Sequence, residues 1–203
     1  MLELYKRLDQ PTREETIRLG RLGVKIDGLG RPVNPHFVQD FGHKGLVQGK
    51  GMFYYWGPNH TVDPVVIGQE NNTPKVLTIV RGDNGLLALP GGFIDLGELP
   101  LSAAIREAHE ETGLDISQDP HETIYNGQVN DPRDTLHAWA ETTAILFRHD
   151  GCPPVIAGDD ARPGSAVWLP LAELVEASLH GAHAMIIAKA MQRYHELAQP
   201  TTR

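Results

Sequence analysis

The sequence is poor in the features that would make it something other than a globular protein. It has a single cysteine, Cys152, so it forms no internal disulfide, and one lone thiol fits a reducing compartment. No apolar run approaches the ~20 residues a membrane helix needs, so no membrane partner is expected. There is no block of basic residues. The 18 Lys and Arg are scattered among 26 Asp and Glu for a net charge of −8, which argues against a protein that grips nucleic acid by its phosphates. The opening segment MLELYKRLDQPTREE lacks the apolar core of a secretory signal and carries acids that a transit peptide would not, so a cytoplasmic location is expected. There is no internal repeat, and 21 Gly with 15 Pro fall short of low complexity. What remains is an ordinary core-forming chain of 203 residues, 40% apolar, enough for one domain and a short appendage. An acidic protein that is to bind a phosphate needs a cation as intermediary.

The chain changes character near Pro64. Residues 1–63 are rich in Gly, Pro and Asn, with a short helix expected to open at Thr12, where Thr12 and Glu15 have capping-box spacing. Phe53, Tyr54, Tyr55 and Trp56 are too aromatic for a linker, so this irregular extension is expected to pack on the body that follows. From residue 64 to 203 strands and helices interleave. PVVIG, KVLTIVR, LLAL, IYNGQV, AWAETTAILFR and SAVWLP read as strands, and residues 100–112 and the stretch AHAMIIAKAMQRYHELA read as helices. That pattern predicts a mixed α/β domain with helices packed on a sheet.

Within the helix at 100–112, Glu107, Glu110 and Glu111 stand at i, i+3 and i+4, so their carboxylates share one stripe. Such crowding is ordinary on a solvated face. Here a Pro-Gly-Gly turn precedes it and Gly113 ends it, which sets a tight loop against the acids. Carboxylates beside an exposed backbone carbonyl make an all-oxygen site, suited to Mg²⁺ or Mn²⁺ and poor for zinc.

The segment from Gly92 to Leu114, GFIDLGELPLSAAIREAHEETGL, carries a family resemblance. It matches the Nudix box, G-x5-E-x7-R-E-U-x-E-E-x-G-U with U apolar, at Gly92, Glu98, Arg106, Glu107, Ala108, Glu110, Glu111, Gly113 and Leu114. From ordinary residue frequencies such a match has a chance expectation on the order of 10⁻⁷. The resemblance implies an α/β/α sandwich with a mixed sheet, and hydrolysis of a nucleoside diphosphate linked to another group. It implies Glu107 and Glu111 as principal Mg²⁺ (or Mn²⁺) ligands, with Glu110 assisting and the Gly91 carbonyl completing the site. Glu98 and Arg106 would orient the ligands as an ion pair. A cation bridging the diphosphate lowers its repulsion toward a nucleophile and the pKa of a bound water. For the base, Glu110, Glu98 and Glu141 all stand open. Glu141 shares a strand face with Trp139 and Ile145 and is either partly buried or a strand-edge carboxylate in water.

Outside the box, GRPVNP (30–35), GLVQGKG (45–51), WGPNHTVDP (56–64), DPRDT (131–135) and AWAET (138–142) resemble, in the same order, the ADP-ribose pyrophosphatase branch found in mitochondria. That branch is related to the ADP-ribose-sensing domain of a melastatin-type cation channel. The likeness implies ADP-ribose as substrate, with AMP and ribose 5-phosphate as products, and His60, Thr61, Asp131 and Arg133 as contacts. Each also has a structural reading. Asn59 and His60 suit bonds to loop backbone, Arg133 suits a turn pair with a neighbouring Asp, and Tyr194 suits either adenine stacking or the core. NADH, FAD or a sugar nucleotide is the alternative substrate, and a non-catalytic ADP-ribose-binding module is the alternative role. The box is intact here but degenerate in the channel domain, which favours catalysis. Leu96 stands where the branch often has proline. A homodimer and a single chain are both compatible with the sequence.

Overall fold

The computed structural model describes residues 10–37, 48–82, 85–158, 166–174 and 179–198. Residues 45–47 of the 45–51 stretch, Ser165 of the last expected strand and the opening residues 1–9 lie outside them. The chain divides into two compact units, Met1–His60 with Gln128–Glu141, and Thr61–Gly127 with Thr142–Arg203.

Among its described residues the first unit is built largely from loops. A helix there, α1 (Arg13–Arg21), opens as the sequence predicts. Thr12 accepts from the Glu15 amide at 3.2 Å, and Glu15 Oε2 accepts from the Thr12 amide at 2.8 Å. With little regular structure, the backbone's polar groups are met by side chains. Arg18 donates to the carbonyls of Trp56 (2.9 Å) and Pro58 (2.6 Å), and Asn34 donates to that of Thr135 (3.0 Å). Asn59, fully buried, accepts from the Tyr55 amide and donates to the Tyr55 and Gly57 carbonyls. Of the four aromatics expected to pack, Phe53 and Trp56 are buried, whereas Tyr54 and Tyr55 are exposed. A tyrosine ring can keep its hydroxyl in water, and Tyr55 offers its face to the Arg18 guanidinium 4.7 Å away.

The sheet elements are β1 (Gly57–Glu70), β2 (Thr73–Val80), β3 (Leu87–Ala88), β4 (Gly92–Phe93), β5 (His121–Gln128), β6 (Ala138–Arg148) and β7 (Val167–Pro170). Their order is β3-β2-β1-β6-β5, with β4 on β1 and β7 on β2. β1 begins seven residues before the strand expected at Pro64. The Gly, Pro and Asn of its first half read as turn residues, and sheet pairing overrides that local preference. The helices are α2 (Pro100–Thr112), the short α3 (Leu171–Leu174) and α4 (His183–Ala198).

In the second unit alternate residues supply two cores, one on each face of the sheet. Val62, Val66, Leu77, Ile145 and Phe147 pack under Ala103, Ala104 and Ala108 of α2. Val65, Ile67, Val76, Ala144 and Leu146 pack under Ile186, Ile187 and Ala190 of α4, with Leu171 and Leu174 of α3. Helices on both faces of a mixed sheet make the α/β/α sandwich that was expected. No helix among the described residues is long and apolar enough to cross a membrane.

Candidate active site

α2 starts with Pro100 at its first turn and stops at Gly113, which takes the left-handed conformation (φ 69°) and donates to the His109 carbonyl at 2.8 Å. Carbonyls left over at this helix end are met by a later segment. The Ile156 amide donates to Thr112 and the Gly158 amide to Glu111, each at 2.9 Å. The C-terminal end of the helix is thereby fixed, and its apolar alanine face is buried. Its acidic stripe points at the Pro90-Gly91-Gly92 turn.

Arg106 organises that stripe. Its Nε and Nη2 donate to the two oxygens of Glu98, both at 3.0 Å, while Nη1 donates to Glu107 (2.7 Å) and Glu110 (3.0 Å). Nη2 also reaches the Phe93 carbonyl at 3.1 Å, and Glu98 Oε2 accepts from the Asp95 amide at 3.0 Å. Arg106 and Glu98 form an ion pair that ties β4, the 95–98 loop and α2 together. Hydrogen bonds from Arg106 hold the Glu98 carboxyl below the usual range, and those acids raise the guanidinium in turn. Burial pushes Glu107 up, partly offset by Arg106.

Two glycines let the turn approach. Glu111 Oε2 accepts from the Gly91 amide at 2.8 Å. Gly91 has φ 152°, and a Cβ there would lie 2.3 Å from the Val62 carbonyl oxygen. A Cβ on Gly92 would lie 2.5 Å from Glu107 Oε1. The Glu107 carboxylate thus fills the space that a side chain at residue 92 would take.

The donors gathered here are all oxygens, the set a hard divalent cation takes. Among the described residues no three Asp, Glu, His or Cys side chains converge on one cation position as they stand. Arg106 draws Glu107 and Glu110 to itself, and Glu111 is turned onto Gly91. The guanidinium supplies the positive charge around which three glutamates gather, so the residues fit a cation in both charge and atom type.

The other residues picked out in the sequence are distributed as follows. Thr61 lies in β1 opposite Phe93 of β4, one residue before the Val62 and Gly92 pair. Tyr194 is partly buried against the core under α4, and its hydroxyl accepts from Gln69 at 2.7 Å, toward the far end of β1 from Thr61. The remaining ones belong to the first unit. Arg133 forms a two-pronged pair with Asp131 (2.8 and 2.6 Å) within a turn and lies 5.2 Å from the Phe53 ring centre, so the turn-pair reading describes what is seen. Glu141 is partly buried and accepts from the Trp139 indole at 2.8 Å, with His60 Nδ1 3.9 Å from its other oxygen. Partial burial holds the His60 imidazole below its ordinary pKa, against the pull of Glu141.

Sequence reasoning missed two features. Asp134 is a half-buried carboxyl in the first unit, pushed up to about 7 chiefly by burial, and it accepts from the Ala140 amide at 3.0 Å. Asp63 and His183 stand behind the glycine turn, 3.3 Å apart. They are 120 positions apart in the chain, so no local pattern links them.

Fold and site together define an α/β/α protein that presents an all-oxygen acid cluster to a glycine turn. A family model for the NUDIX domain matches residues 59–191, and the chain belongs to the Nudix family. It is 32% identical over 196 residues to the mitochondrial ADP-ribose pyrophosphatase of Rattus norvegicus, a match covering 78% of this chain and 53% of the rat protein. It is 31% identical over 217 residues to the transient receptor potential cation channel subfamily M member-like 2 of Nematostella vectensis, covering 91% of this chain and 13% of the channel. The chain thus spans about half the length of the rat enzyme and a small part of the channel. Among solved structures, the NUDIX domain of Shewanella oneidensis NrtR, complexed with ADP ribose, superposes with a TM-score of 0.58 at 26% identity, covering 68% of this chain and 89% of that one.

Proposed function

We propose that this protein is a cytoplasmic enzyme that hydrolyses the diphosphate bond of ADP-ribose, with Mg²⁺ or Mn²⁺, to AMP and ribose 5-phosphate. The observation that carries the reading is the set of contacts joining the acidic helix to the glycine turn, Gly91 on Glu111 and Gly92 against Glu107, with Arg106 gathering the acids. Two relatives support the substrate, one named as an ADP-ribose pyrophosphatase and one crystallised with ADP ribose.

Glu107 and Glu111 would hold the cation, assisted by Glu110 and the Gly91 carbonyl. When bound, the cation neutralises the diphosphate and acidifies a water. The chain's own residues do the rest. Water adds to one phosphorus, the bridging P–O bond breaks, and the water's proton passes to a carboxylate. Glu98 is a poor recipient, because both its oxygens serve Arg106 and its pKa is lowered. Glu110 is the better one, since it is exposed and commits Oε2 to Arg106. Glu98 and Arg106 act by holding the loop and the ligands in place. His60, Thr61, Asp131 and Arg133 are assigned to substrate by the sequence resemblance, Glu141 is kept as a second candidate base, and Tyr194 is given a core role on its packing. The partner is a small nucleotide rather than nucleic acid or membrane, in keeping with the net charge of −8.

The test is a panel of ADP-ribose, NADH, FAD, ADP-sugars and nucleoside triphosphates with Mg²⁺, scored for nucleoside monophosphate release. ADP-ribose is expected to give the highest kcat/KM. A nucleoside triphosphate as best substrate would overturn the assignment, and binding of ADP-ribose without turnover would make the protein a sensor.

A further inference from the structure

The glycine turn is held from both sides. On the helix side, Glu111 takes the Gly91 amide. On the opposite side, His180 in the approach to α4 and His183 at its first position take two groups just upstream. The His180 amide donates to the Leu87 carbonyl at 2.8 Å, and the Leu89 amide donates to His183 Nδ1 at 2.9 Å. Leu87, Leu89 and Gly91 thus each have one backbone group anchored from outside the stretch.

The histidine anchor has a defined orientation. Because the Leu89 amide donates, Nδ1 accepts and the ring proton sits on Nε2, which faces Asp63 Oδ1 at 3.3 Å. Asp63 is itself buried, 8% exposed, and its Oδ2 accepts from the Thr142 hydroxyl at 2.6 Å. A carboxylate in such a place is retained when its lone pairs are used. Here it orients the imidazole, as carboxylates do behind metal-binding histidines. Yet no metal ligand is the histidine's target. The ring reaches a backbone amide two residues before Gly91. Asp63 also limits the turn directly, since a Cβ on Gly91 would lie 3.2 Å from its Oδ1.

We infer that His183, oriented by Asp63 and Thr142, is a positioning residue that fixes the Leu89–Gly92 backbone so that the Gly91 carbonyl meets the acids of α2. The inference rests on the cation site proposed above and adds residues outside the box to it. Its chemistry is specific. The acceptor at the Nδ1 position carries the anchor, the donor at the Nε2 position only orients the ring, and the two can be separated. Asparagine places an oxygen where Nδ1 was, so His183→Asn keeps the Leu89 anchor and loses the reach to Asp63. Glutamine places an NH₂ where Nε2 was, so His183→Gln keeps Asp63 satisfied and leaves the Leu89 amide without its acceptor.

Three readouts on the full chain test this: amide hydrogen exchange at Leu89, Gly91 and Gly92, Mn²⁺ affinity by electron paramagnetic resonance, and kcat and KM for ADP-ribose. In His183→Gln, exchange at these amides is expected to rise about tenfold and the Mn²⁺ dissociation constant about tenfold. kcat should fall while KM changes little, because the loop presents the reacting centre rather than the nucleoside. His183→Asn should lie within about threefold of the parent in all three. Equal impairment of both variants, or unchanged exchange and Mn²⁺ affinity in His183→Gln, overturns the inference. If the parent itself neither binds Mn²⁺ nor cleaves ADP-ribose, the proposed function fails, and the exchange data still decide whether His183 anchors the turn.

Discussion

The two units of this chain keep their shape by different means. The second rests on two apolar layers, one on each face of a sheet, and its candidate active-site groups gather where the box helix, the 95–98 loop and a facing turn meet. The first has a single described helix, and side chains such as Arg18, Asn34, Asn59 and Thr135 replace secondary structure by bonding the backbone directly. Burial spread over many residues is tolerant of local change, whereas a loop framework concentrates its stability in a few hydrogen bonds. Reactive groups placed on the first kind of frame are held to a fraction of an ångström. Loop-built regions vary more readily, which suits them to recognition.

The largest expected effect tests the layered frame. Leu77, fully buried in the layer under α2, should cost about 2–5 kcal/mol when changed to Ala, measured by denaturant unfolding. Next is the chemistry. Glu111→Gln should lower kcat by at least ~10² with little change in thermal midpoint, because the amide oxygen can still accept from Gly91. A fall in stability matching that in activity would show that Glu111 is structural. In the loop-built unit, Asn59→Ala should cost about 1–3 kcal/mol by leaving its three backbone partners unmet, and limited proteolysis should then cut within residues 48–60 first. If Asn59→Ala is neutral, the contrast between the units fails.

A further test of the loop-built unit is one of pH. Asp134 binds its proton more tightly when folded, at about 7 against an ordinary 3.8. Between those values the native state holds a proton that the unfolded state has lost, so this group makes stability fall as pH rises toward 7 and level off above it. Glu98, with its pKa lowered by Arg106, acts in the opposite sense, losing stability as pH falls through the acid range. Unfolding free energies of Asp134→Asn and the parent, compared from pH 4 to 8, should differ by a slope confined to that window. Parallel curves would show that Asp134 titrates normally.

Much of the second unit could be read from residues alone. The box helix ends where Pro100 and Gly113 say it should, because both act through local backbone geometry. The acids fall on one stripe for the same local reason. Strand boundaries were less legible. β1 starts at Gly57 through sheet pairing, and of the described residues of SAVWLP the strand takes Val167–Pro170, which pairs with β2. Tyr194 gave a helical aromatic with no indication of which way it faced. Arg133 and Asp131 gave two good ligand types, and the turn that joins them to each other was the competing reading. Hidden altogether were Asp63 and His183, whose meeting depends on how β1 and α4 fold onto the turn, and no spacing rule spans that distance.

If the carboxylates of α2 hold a hard cation against two phosphates, Mn²⁺ titrated into the protein with a non-hydrolysable methylene analogue of ADP-ribose will be taken up there, which electron paramagnetic resonance of free Mn²⁺ reports. The parent should remove the free signal at stoichiometric ratios, and Glu107→Gln and Glu111→Gln should each weaken that binding at least ~10-fold. Parent and variants binding Mn²⁺ alike, or none of them binding it, would contradict the account.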